Sequence, residues 1–232
     1  MIEFLRRFYK DEERPFLWHY MPVLDVVSGK PIPAGIGNAV VETDNYPSLR
    51  EIRGYEKFVL EIGSGKGTFL SQYARQFPKS CILGIEWDTY CANATVKKLQ
   101  KLGLKNAIVI RGDTFYFLRD LMPDNSIDEI HMYFPDPWPK RRQQKNRLIL
   151  RDGFLEQIYR ILKPGQRNFY WATDHEEYNA IALQIFRKFH PARILEENTA
   201  QPTYGIETGF ERKYKNEGRR IFRSVIELRV ES

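Results

Sequence analysis

From residue 57 onward, apolar positions switch repeatedly between two spacings. Phe58, Val59, Leu60 and Ile62 form a run of strand length, too short for a globular helix. Past a glycine-rich turn, Phe69, Leu70, Tyr73, Ala74 and Phe77 recur on one helical face. The alternation then continues, predicting strands over 81–85, 107–110, 127–134 and 168–172, and helices over 89–102, 147–162 and 176–189. Gly103 stands where the first of these helices should stop, and Lys163-Pro164-Gly165 ends the second. Pro123-Asp124-Asn125-Ser126 is a turn into the fourth strand. Segments 192–196 and 221–230 read as closing strands, which makes seven. Strands alternating with helices predict an α/β fold with a mostly parallel sheet. Residues 1–56 lack this rhythm. Phe4, Leu5 and Phe8 read as one side of a short helix carrying Arg6, Arg7 and Lys10, and Pro15, Pro22, Pro31 and Pro33 follow. That stretch reads as an irregular amino-terminal arm, leaving one domain over 57–232.

Chemistry enters at the first turn. The strand carries Glu61 and runs into Gly63, Gly65 and Gly67. Strand, glycine turn and helix begin a nucleotide-type site, with the ligand over the loop at the strand's carboxyl end. A phosphate-cradling G-x-x-x-x-G-K-[ST] loop is excluded because Lys66 is followed by Gly67. The carboxylate ahead of G-x-G-x-G would repel a pyrophosphate but suits an ammonium or a sulfonium. Glu86 ends the second strand roughly twenty residues on, where an acid can take two ribose hydroxyls. This loop resembles the first motif of class I methyltransferases, which bind S-adenosyl-L-methionine. The resemblance implies a doubly wound, Rossmann-like fold of seven strands, mostly parallel with an antiparallel last strand. It also places Asp113 beside the adenine. From the residues alone, Asp113 equally reads as the cap of a helix starting near Thr114.

Pro135-Asp136-Pro137-Trp138-Pro139-Lys140 follows the fourth strand. Three prolines in five residues fix φ and remove donors, so the segment is stiff and holds Asp136 and Trp138 at the strand's end. PDPWPKRR resembles the signature of bacterial tRNA (guanine-N(7))-methyltransferases. LEIGSGKG, the Ala-Thr-Asp ending at Asp174, and Thr208-Gly209-Phe210-Glu211, which fits T-x-[YF]-E, agree with it over about 57–230. The resemblance implies cofactor binding by Glu61, Gly63, Gly65, Glu86, Asp113 and Asp136, and substrate binding by Lys140, Asp174, Thr208, Gly209, Phe210 and Glu211. Two positions depart from the family: Gln143 or Gln144 replaces a common histidine, and the arm has fewer arginines than many members.

The implied reaction methylates ring nitrogen 7 of a guanine in the tRNA variable loop, forming 7-methylguanosine. That nitrogen has no proton to lose, so alignment and electrostatics suffice, with Asp136 as the catalytic candidate. Asp174 suits the guanine's Watson–Crick donors, an ionised carboxylate being acceptor-only. Trp138 either stacks on a flipped base or packs against the prolines. Thr208 and Glu211 also form a T-x-x-E capping box.

Composition sharpens the choice of partner. The 232 residues carry a net charge of +6 with pI about 9.2, so a polyanion is plausible chemistry. Lys140, Arg141, Arg142, Lys145, Arg147 and Arg151 precede the first acid, Asp152; Arg212, Lys213, Lys215, Arg219, Arg220 and Arg223 form a second run. Arg141, Arg142 and Lys145 are the candidates for tRNA phosphate contacts. Two cysteines imply neither a disulfide framework nor a metal site. No apolar run is long enough to span a membrane and residues 1–14 are too polar for a signal peptide, which points to the cytoplasm. Two other readings remain: a class I methyltransferase of an exocyclic amine in another nucleic acid or of a protein, and a non-catalytic RNA-binding relative. The retained acids argue against the latter. Monomer and homodimer are both compatible with the pattern.

Overall fold

The computed structural model describes residues 54–138, 140–165 and 168–229, so the predicted arm lies outside it apart from residues 54–56. The chain clusters into two compact units that divide after Pro123. In the first, β1 (Lys57–Ile62), α1 (Thr68–Gln76), β2 (Ser80–Glu86), α2 (Thr89–Lys101) and β3 (Ala107–Arg111) alternate as predicted. β1 pairs in parallel with β2, from Lys57 opposite Ser80 to Ile62 opposite Ile85, and β2 pairs in parallel with β3. Every residue of β2 is buried, which explains why it reads as a continuous apolar run rather than an alternation. α2 stops one residue early: Leu102 is 43% exposed, outside the helix's buried face. A short helix, α3 (Thr114–Tyr116), continues into a π turn over Phe117–Leu121.

The second unit holds β4 (Glu129–Tyr133), α4 (Phe154–Ile161), β5 (Asn168–Thr173), α5 (Glu176–Lys188), β6 (Ala192–Glu197), α6 (Gly209–Asn216) and β7 (Phe222–Leu228). β4 and β5 are parallel, whereas β7 runs antiparallel to both β5 and β6. The sheet has seven strands in the order β3-β2-β1-β4-β5-β7-β6, and the expected reversal of the last strand is present. Trp171, Phe169, Phe154, Tyr178 and Phe186 fill the unit's core. The Trp171 indole N–H donates to Asn179 Oδ1 at 3.0 Å, so this buried polar tip is satisfied.

The helix predicted over 147–162 is a correction. Residues Arg141–Asn146 and Leu148–Leu150 form 3-10 turns, and α4 starts only at Phe154. Arg147 is extended and Gly153 takes φ +81°, a left-handed conformation that glycine adopts without steric cost and that interrupts the helical path.

Candidate active site

In the first unit, β1 delivers Glu61 into a buried position just ahead of the glycine turn. Gly63, Gly65 and Gly67 all have positive φ, at 74°, 54° and 64°. A Cβ on Gly67 would lie 2.4 Å from Thr95 Cγ2, so α2 packs directly on the loop. Thr95 Oγ1 donates to the Gly65 carbonyl (2.9 Å) and Lys98 Nζ to the Lys66 carbonyl (2.5 Å). α1 has no side-chain cap. The Leu70 N–H near the Glu61 carboxylate favours its charged form. Burial pushes the Glu61 carboxyl well above the ordinary carboxylate range; the Glu86 charge adds to this, and Lys98 opposes it. Glu61 Oε2 has no hydrogen-bond partner among the described residues.

Glu86 is held differently. Its Oε2 accepts from the Gly65 N–H (2.6 Å) and its Oε1 from the Asp88 N–H (2.8 Å). Burial raises its pKa while these bonds oppose the rise. A carboxylate offers about four lone-pair positions, so two stay available for donors such as a diol. A buried acid with an unsatisfied oxygen, next to a second acid fixed by the loop, fits a cationic ligand bearing a ribose. Asp113 caps α3, accepting from the Tyr116 N–H at 3.0 Å, as the capping reading expected.

In the second unit, the segment after β4 is strained at both ends. Phe134 has φ +51° and Trp138 φ +42°, bracketing Pro135-Asp136-Pro137. Left-handed non-glycine residues cost about 1–3 kcal/mol each and persist only where their surroundings hold them. Here the Phe134 N–H donates to the Ala172 carbonyl (2.7 Å), and Arg147 Nε donates to the Pro137 carbonyl (2.6 Å). Arg147 is fully buried, its guanidinium 4.6 Å over the Tyr178 ring and its Nη1 3.9 Å from Glu177. It therefore leaves the basic surface run and becomes an internal tie of the catalytic-candidate loop. Charge pattern gave no sign of this; the apolar Leu148-Ile149-Leu150 that follows was the one available signal. Asp136 is exposed, and its charge is felt at the Tyr178 and Tyr214 phenols. Trp138 is half-buried and makes no ring contact among the described residues. Lys140, Arg141, Arg142 and Lys145 are exposed and form no ion pair among the described residues.

The remaining candidates in this unit divide. Thr208 Oγ1 accepts from the Glu211 N–H at 3.0 Å, the capping bond of the T-x-x-E pattern. The Glu211 carboxylate is buried against Arg223 Nη2 and pairs with Lys215 at 3.0 Å, joining α6 to β7. Gly209 and Phe210 are exposed; the Phe210 ring lies 6.0 Å from Tyr214 and 6.5 Å from Phe134. Asp174, just past β5, accepts from Arg219 Nη1 at 2.8 Å, and the Arg219 guanidinium lies 4.6 Å over the Tyr214 ring. Tyr214 escaped sequence reading because it looks like one more position of a polar helix. Partial burial raises its phenol pKa, with Asp174 adding to the rise and Arg219 opposing it. The second basic run is largely neutralised: Arg212 and Lys215 pair with Glu207 (3.2 and 2.9 Å), Lys213 with Glu217 (3.9 Å), and Arg223 is internal. Among the described residues no His/Cys/Asp/Glu group can hold a metal, and no helix is long and apolar enough to cross a membrane.

A mostly parallel seven-stranded sheet with a reversed β7, and an acid–glycine loop after β1, define the class I methyltransferase fold. The structure is similar to that of a SAM dependent methyltransferase from Aquifex aeolicus, with TM-score 0.52 and 21% identity over 78% of this chain and 87% of that one. A family model described as "Putative methyltransferase" matches residues 55–224. The chain is 35% identical over 169 residues to a tRNA (guanine-N(7)-)-methyltransferase of Thermotoga maritima, covering 72% of this chain and 52% of the relative. It is 35% identical over 164 residues to one of Nitrosococcus oceani, covering 71% of this chain and 68% of the relative. This chain belongs to the tRNA (guanine-N(7)-)-methyltransferase family. It spans about half the length of the Thermotoga relative.

Proposed function

We propose that this protein transfers a methyl group from S-adenosyl-L-methionine to ring nitrogen 7 of a guanine in the variable loop of tRNA, in the cytoplasm. The observation that carries this reading is the strained loop, pinned at Phe134 and Pro137, that fixes Asp136 after β4 in a chain of this family. The catalytic domain is taken as 57–232, with 1–56 as an arm.

Glu61 receives the cationic amino-acid end through its unpartnered oxygen. Gly63 and Gly65 let the backbone approach the ligand, Glu86 takes the ribose hydroxyls, and Asp113 accepts from the adenine amine with capacity beyond its capping bond. The cofactor supplies an electrophilic methyl on a sulfonium. Because the acceptor nitrogen carries no proton, no residue need act as a base, and positive charge moves onto the purine as the bond forms. Asp136 stabilises that charge, an interaction stronger in the transition state than before it. Lys140, Asp174, Thr208, Gly209 and Phe210 bind the acceptor. Glu211 supports them from behind, through Arg223. Arg141, Arg142 and Lys145 meet phosphates. Labelled S-adenosyl-L-methionine with bulk tRNA, followed by nucleoside analysis, should place the label in 7-methylguanosine. Label in any other nucleoside, or in protein, would replace this reading with the exocyclic-amine or protein alternative.

A further inference from the structure

Arg219 does two things at once. Its Nη1 donates to Asp174 Oδ2 at 2.8 Å while its guanidinium carbon lies 4.6 Å over the Tyr214 ring. Its Nη2 reaches Glu217 Oε2 at 2.7 Å. The Arg219 side chain is 49% exposed and that of Asp174 only 13%, so the cation covers a largely buried acid. Phe134, on the strained end of the Asp136 segment, lies 5.6 Å from the same Tyr214 ring, and Phe210 lies 6.0 Å from it on α6. Three aromatic rings, one carboxylate and one planar cation thus converge next to the loop that carries Asp136.

A flat group with N–H donors turned to a carboxylate and lying over an aromatic ring is also how a guanine would be held. The N1–H, C2 and N2–H₂ of guanine are themselves a guanidine fragment, and a carboxylate can accept only from donors. Adenine presents an acceptor at N1 and would meet repulsion there. The aromatic face takes any base, so the acid supplies the discrimination. We propose that Asp174 and the Tyr214 ring seat the guanine to be methylated, and that Arg219 holds this seat in the tRNA-free protein as a guanidinium stand-in. The inference rests on the guanine-methylating reading above and adds to it a stacking residue and an internal competitor. The arginine end of this pair is half exposed to water, so an entering base can displace it from the acid.

Two measurements test it. With tRNA as substrate, Tyr214→Leu should lower kcat about five- to a hundred-fold, the range for losing a base–aromatic stack, with KM for tRNA and cofactor affinity little changed. Tyr214→Phe, which restores the ring without the hydroxyl, should recover most of that loss; failure to recover would mean the phenol matters and the stack does not. The second measurement titrates guanosine 5′-monophosphate and adenosine 5′-monophosphate into the full chain by equilibrium dialysis. Arg219→Ala should bind the guanine nucleotide about two- to five-fold more tightly than the parent and leave the adenine nucleotide unaffected, because the competitor is gone. Equal or weaker guanine binding in Arg219→Ala, or no preference for guanine in either protein, overturns the proposal. Wild-type protein that makes no 7-methylguanosine would sink the proposed function. Normal product formation with full turnover in Tyr214→Leu would sink this inference alone.

Discussion

Glu61 combines two properties that single-residue chemistry sets against each other: it is buried, and it is the acid proposed to meet a cation. Burial and the nearby Glu86 charge raise its pKa, so in the ligand-free protein it stays protonated to a higher pH than a free glutamate. Its contribution to folding stability is accordingly full below the ordinary value of about 4.5 and is lost as pH rises through the raised folded value. A bound ammonium or sulfonium favours the carboxylate and reverses that trend. Cofactor affinity should therefore increase as pH rises towards the raised value, by at most about tenfold per unit, and level off above it. Titration calorimetry in buffers of different ionisation heat should detect proton release over that window. Glu61→Gln should bind more weakly and lose most of the dependence, retaining only the smaller share from Glu86, which burial also raises. A flat profile in the parent protein would remove Glu61 from the cation site.

At the scale of elements, the segment after β4 is held by a residue ten positions further on. Arg147 Nε on the Pro137 carbonyl, with the guanidinium 4.6 Å over the Tyr178 ring, restrains a backbone that would otherwise leave its left-handed conformations. Arg147→Ala should lower kcat by up to about a hundredfold, the penalty for misplacing a reacting group by about 1 Å, with cofactor affinity nearly unchanged because Glu61 and Glu86 sit on β1 and β2. Arg147→Lys keeps a donor but loses the planar, delocalised cation over Tyr178, so it should fall between the two. Steady-state kinetics with tRNA and cofactor calorimetry check this; a proportional loss of cofactor affinity would mean that Arg147 serves only folding. The strands were legible because burial on both faces of β2 and β3 demands continuous apolar runs. The predicted helix at 147–162 was not, because a pattern reading assumes that arginine faces water. Arg147 faces inward, and the helix starts only after the left-handed Gly153.

For the molecule as a whole, a net charge of +6 says that a polyanion is acceptable and nothing about where it binds. The structure separates the two basic runs: the one around Arg219 is spent on Glu207, Glu211, Glu217 and Asp174, while Arg141, Arg142 and Lys145 stay exposed. Arg141→Ala with Arg142→Ala should weaken tRNA binding and reduce the log–log salt slope by roughly 0.7–0.9 for each phosphate no longer neutralised, with cofactor affinity intact. An unchanged slope in a folded, cofactor-binding double variant would make these arginines a solvated face. The sequence alone determined where the strands fall, which acids stand at the carboxyl ends of β1 and β2, and that a proline-stiffened Asp136 follows β4. These follow from periodicity and from residues adjacent in the chain, which act on one another whatever the rest of the molecule does. Only the tertiary structure decided which charges find partners: Arg219 meets Asp174 across 45 positions, Arg223 buries Glu211 across 12, and Arg147 turns from surface cation to internal tie. A side chain's partner is set by which elements pack together, and the linear order of residues carries no record of that.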